Sequence, residues 1–106
     1  MARRLRRYEI LLPLSYNDGS PVEPEKFEDT RSELLSRFRG VTFDPTPRHG
    51  LWTEKGERFE DVLVRVTVDA PNTPEARRFF EEYKESLKER FQQYEVYITH
   101  HTIERV

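Results

Sequence analysis

The stretch Phe59-Glu60-Asp61-Val62-Leu63-Val64-Arg65-Val66-Thr67-Val68-Asp69 decides the fold. Its valines stand at every second position, which is the period of a strand with one buried face, and β-branched side chains suit a pleated surface. So regular a strand belongs at the centre of a sheet. Its alternate residues, Phe59, Asp61, Leu63, Arg65 and Thr67, must then face the other way.

Upstream, Glu54-Lys55-Gly56 reads as a hairpin turn with glycine. The strand before it starts at Val41-Thr42-Phe43 and resumes through Leu51 and Trp52. Pro45 and Pro47 break its ladder, which predicts an edge strand with a bulge. Downstream, Thr73 followed by Pro74 is a helix N-cap with proline in the first turn. Ala76, Phe79, Phe80, Tyr83, Leu87 and Phe91 then give that helix a core-facing stripe. The last strand is expected from Glu95 to about Ile103, with Val96 and Ile98 inward and Tyr97, Thr99 and His101 outward.

At the other end, residues 1–7 read as a flexible basic tail and Tyr8 to Leu14 as the first strand. After a turn-rich loop, Pro24 opens a helix to about Arg39 with Phe27, Leu34, Leu35 and Phe38 as its stripe. Gly40 stands where a left-handed cap is expected. The order β-α-β-β-α-β predicts an α+β, ferredoxin-like domain over residues 8–106. Such a domain has a four-stranded antiparallel sheet, strand order 4-1-3-2, with both helices on one face.

Composition narrows the class. Charged residues make up 36% of 106, yet the net charge is only −2, so with these periodicities disorder is excluded. The absence of cysteine rules out disulfides and thiolate metal sites. No apolar run approaches the ~20 residues of a membrane span. Ile10-Leu11-Leu12-Pro13-Leu14, behind the arginines, is too short and proline-broken for a signal peptide. A cytoplasmic protein is the expectation, and arginine outnumbering lysine 14 to 4 with few labile residues hints at a thermophilic source.

Functional interest falls on the sheet face that the helices leave uncovered. Glu9, Leu11, Phe59, Asp61, Leu63, Arg65, Tyr97 and His101 are expected there, Leu11, Leu63 and Tyr97 forming an apolar centre ringed by charge. A homodimer interface, or a site for a small molecule, follows from that centre. The protein then reads as a self-associating binding or regulatory module. The alternative is a small enzyme needing no cofactor, with a pocket at an edge made by Arg48, His49 and Trp52 and reaching Arg65 and His101. Base stacking as in RNA-recognition modules fits poorly, because Glu9 and Asp61 would repel phosphate, which leaves weak nucleic-acid contact through the arginine-rich tail as a third option. No metal site is expected: His100 and His101 point to opposite faces, and His49 belongs to the far edge.

Four short elements, Asp18-Gly19, Gly50-Leu51-Trp52, Glu60 and Lys88-Glu89-Arg90-Phe91-Gln92-Gln93, carry a resemblance. In them the chain resembles a group of small bacterial proteins of unknown function. The resemblance implies the same α+β fold and a bacterial source, and no activity.

Overall fold

The computed structural model describes residues 3–106, apart from the side chains of Arg3, Trp52, Glu54 and Phe59. The chain runs β1 (Arg3–Pro13), α1 (Pro24–Arg37), β2 (Gly40–Glu54), β3 (Glu57–Pro71), α2 (Pro74–Arg90) and β4 (Ile98–Arg105). The strands form one antiparallel sheet in the order β2-β3-β1-β4.

Alternation sorts the two sheet faces. Tyr8, Ile10 and Leu12 of β1 and Val64, Val66, Val68 and Ala70 of β3 are buried in one cluster with Leu34, Phe38, Phe80, Tyr83, Leu87 and Phe91. Both helices therefore cover the same face. Tyr8 stacks on Phe80 with ring centroids 3.9 Å apart, and Phe80 in turn stacks on Phe38 at 5.3 Å. The face formed by Arg7, Glu9, Leu11, Asp61, Leu63, Arg65, Thr67 and Asp69 stays partly open.

Local rules account for most boundaries. Thr73 caps α2, its Oγ accepting from the Ala76 amide at 3.2 Å. Lys55 and Gly56 both have positive φ, the geometry of a two-residue type I′ hairpin between Glu54 and Glu57. Asp18 accepts from the amide and hydroxyl of Ser20, shaping the turn at Gly19.

Three expectations need correction. From Arg3 on, the basic stretch is strand, not tail: Arg3 pairs with Arg105, and Leu5 with both Ile103 and Pro71, while the first two residues of the expected tail lie outside the described residues. Gly40 is no left-handed cap. Helix α1 ends at Arg37, Phe38 is already extended, and Gly40 opens β2 so close to Asp69 that an added Cβ would lie 3.3 Å from the Asp69 Cβ. Leu35 is 53% exposed, because the buried stripe of α1 runs through Thr30, Leu34 and Phe38 instead.

The bulge foreseen at the prolines has a definite size. Asp44 pairs with Arg65 and Arg48 with Leu63, so Pro45, Thr46 and Pro47 stand against Val64 alone. Two extra residues preserve face parity, which returns Arg48 to the side of the sheet that Asp44 occupies. Pairing of β1 with β3 stops at Pro13↔Leu63, whereas β2 and β3 continue together to Glu54↔Glu57. The hairpin thus projects as a two-stranded ribbon, in keeping with the elongated 48 × 31 × 25 Å shape.

Candidate functional site on the open sheet face

Strand register brings most of the expected face residues together. Leu11 pairs with Arg65 and Pro13 with Leu63 across the two central strands. The amide of Leu11 donates to the carbonyl of Tyr97 at 3.1 Å, placing Tyr97 beside Leu11 although it precedes β4. Leu11 and Leu63 are half-buried, while Tyr97 is 63% exposed. Gly50 lets Leu63 lie over β2: a Cβ there would come within 3.2 Å of Leu63 Cδ1.

Around this apolar centre runs a relay of charges. Arg65 reaches Glu9 at 3.9 Å on one side and Asp44 at 3.7 Å on the other. Arg48 closes on Asp44 at 3.2 Å. The Thr46 amide, at 3.0 Å, and then Arg48 hold the Asp44 carboxyl below its ordinary range. Arg7 grips Asp69 through two bonds of 2.7 and 3.0 Å, with His101 the register partner of Arg7 on the β4 side.

Two polar groups on this face lack a partner among the described residues, one buried and one half-buried. Arg65 Nε is buried and makes no hydrogen bond. Asp61 is half-buried, and that burial pushes its carboxyl above the ordinary range with no neighbouring cation to offset it. Leu63 lies between them along β3.

At the β2 edge, Arg48 and His49 face opposite sides of the sheet. His49 pairs with Val62, on the opposite side from Arg48 and Arg65, and its Nδ1 meets exposed Glu60 at 3.0 Å. His101 stands on the far edge strand and is exposed. The side chains of Trp52 and Phe59 lie outside what the structure describes, although their backbones are in register. Asp44 was missed although alternation from Val41 and Phe43, whose partners are the core valines Val68 and Val66, already puts it on this face.

Among the described residues no group of three or more His, Asp or Glu could hold a metal ion, and no helix is long and apolar enough to cross a membrane. Arg4, Arg6 and Arg7 of the arginine-rich start each have a contact within the fold. Arg4 lies 3.8 Å from Glu104, Arg6 bonds Asn72, and Arg7 bonds Asp69.

This architecture has a counterpart among solved structures. The chain is similar to a phage SAM lyase, solved in complex with S-methyl-5′-thioadenosine, at a TM-score of 0.68 over 96% of this chain and 89% of that one. At 14% sequence identity the likeness is one of fold. No protein-family model matches the chain, and neither does any curated protein.

Proposed function

We propose that the protein is a self-associating, ligand-binding module whose working surface is the open face of the sheet. The observation that carries this reading is the buried, unpartnered Arg65 Nε, with the half-buried Asp61 carboxyl on the other side of Leu63. Buried polar groups normally find partners, so an orphaned guanidinium nitrogen beside an apolar patch fits a surface completed from outside the chain. The projecting ribbon supports the same conclusion, since a two-stranded hairpin alone is marginal in water and gains from packing on a neighbour.

Solution mass tests it. The wild type should be larger than one chain by light scattering, and Leu63→Glu should fall to a monomer while keeping its circular dichroism spectrum. A monomeric wild type, or an undisturbed L63E assembly, rejects the reading.

A second reading is enzymatic, favoured by the likeness to the phage SAM lyase. SAM carries a sulfonium cation, and a half-buried carboxylate such as Asp61 suits a cation bound beside apolar side chains. Incubation with SAM, followed by chromatography for S-methyl-5′-thioadenosine, tests this directly. Product above the protein-free control that falls in Asp61→Asn supports it; no product rejects it.

A further inference from the structure

On the helix-covered side, away from that face, β1, β4 and the start of α2 meet at a corner with its own chemistry. Arg6 Nε donates to Asn72 Oδ1 at 3.0 Å, and Arg6 Nη1 lies 2.7 Å from His100 Nδ1. A guanidinium can only donate, so His100 Nδ1 accepts and the imidazole is neutral with its proton on Nε2. The fork of Arg6 is thereby oriented by two neutral partners and keeps its full charge. Arg7, one residue on and facing the other way, is instead neutralised by Asp69.

Two further arginines stand at this corner. Asn72, Thr73, Pro74, Arg77, Arg78 and Glu81 line an open pocket of about 430 Å³. Arg6, Arg77 and Arg78 have no ion pair among the described residues, as is also true of Arg37, Arg39 and Arg105, whereas Arg4, Arg7, Arg31, Arg48, Arg65 and Arg90 each meet a carboxylate. Glu81 is the single carboxylate in the pocket lining, so positive charge is in excess there. Burial first, then the charges of Arg6, Arg77 and His101, hold the His100 imidazole below its ordinary proton affinity. The unneutralised charge is therefore felt at a group beside the pocket.

We infer that this corner is a binding site for a small phosphate ester, its phosphate held by Arg6, Arg77 and Arg78 and its remainder lying in the Asn72–Pro74 pocket. Planar arginine forks match phosphate oxygens, and a dianion suits a site with an excess of two positive charges better than a carboxylate does. The pocket volume lies within the ~300–1,000 Å³ usual for small-molecule sites.

His100 and His101 supply a built-in reporter and control, because they are adjacent in sequence and on opposite faces. Both imidazoles are titrated by NMR in the full chain, with inorganic phosphate or glycerol phosphate against sodium chloride at equal ionic strength. Bound phosphate offsets the neighbouring cations, so the His100 midpoint should rise saturably by at least about half a pH unit while His101 does not move. The exposed pair Arg77→Gln and Arg78→Gln should abolish the rise without unfolding the protein. The site is refuted if chloride reproduces the rise, if His101 moves equally, if the double variant retains it, or if no rise occurs. None of these outcomes bears on the open-face reading, so the two stand or fall separately.

Discussion

Replacing Arg90 with methionine should destabilise the fold by about 2 kcal/mol, a value that follows from the clasp between the helices. Arg90 Nη1 donates to Thr30 Oγ1 at 2.8 Å and Nη2 to Glu33 Oε2 at 2.6 Å, while Tyr83 donates to Glu33 Oε1 at 2.8 Å. Losing a bond to a charged group costs about 1.5–3 kcal/mol when its partner stays buried. Glu33 is 44% exposed, so water recovers part of that loss and its bond counts at or below the lower limit. Thr30 still donates to the Lys26 carbonyl at 2.7 Å, and methionine preserves much of the apolar stem. With an unfolding entropy of about 2.1 cal/mol/K per residue, 2 kcal/mol in 106 residues lowers Tm by about 9 °C. Burial works against the charge on Glu33, but the Arg90 and Tyr83 bonds prevail and keep its carboxyl below the ordinary range. A carboxylate depressed in the folded state contributes stability that is complete above its unfolded pKa and is lost as pH falls through its folded value. A double-mutant cycle of Arg90→Met with Glu33→Gln, followed by urea denaturation, should therefore show a coupling of about 1 kcal/mol at neutral pH that shrinks in acid. A coupling under about 0.3 kcal/mol, or one equally large in acid, refutes the assignment.

Other perturbations test other parts of the structure. Asp61→Asn should stabilise the chain at neutral pH by up to about 0.5 kcal/mol, since it removes a half-buried charge without a partner. The sign follows from a folded pKa raised above the unfolded one: wild-type stability should increase as pH falls through that window, and denaturation of D61N should lack this component. Thr73→Ala removes the α2 cap and should cost about 1 kcal/mol, or about 4–5 °C in Tm by calorimetry. Lys55→Asn suits the positive φ of the hairpin and should stabilise it by a few tenths of a kcal/mol, visible as slower amide exchange across the ribbon.

What the sequence disclosed and what it concealed both trace to the two-residue period of a strand. The valines of β3 identified the covered face without help from any other segment, and the same count placed Glu9, Leu11, Asp61, Leu63 and Arg65 on the open one. Counting fails where the register is interrupted or the apolar signal is weak. Asp44 joins the open face by plain alternation from Val41 and Phe43, whereas Arg48 rejoins it beyond the bulge by pairing with Leu63, a register that the two prolines do not state. The stretch from Arg3 to Arg7 contains only Leu5 as an apolar marker, and its charge partners lie far along the chain at Asp69 and Glu104. Nothing local therefore separates an arginine-rich strand from an arginine-rich tail. Once it is a strand, its alternation carries chemical meaning: Arg7 is consumed by a carboxylate on the open face, while Arg6 keeps its charge between a neutral amide and a neutral imidazole. Identical residues one position apart thus serve opposite ends. Any sequence reading that treats the arginines as one basic patch discards the feature that distinguishes a structural ion pair from a candidate binding group.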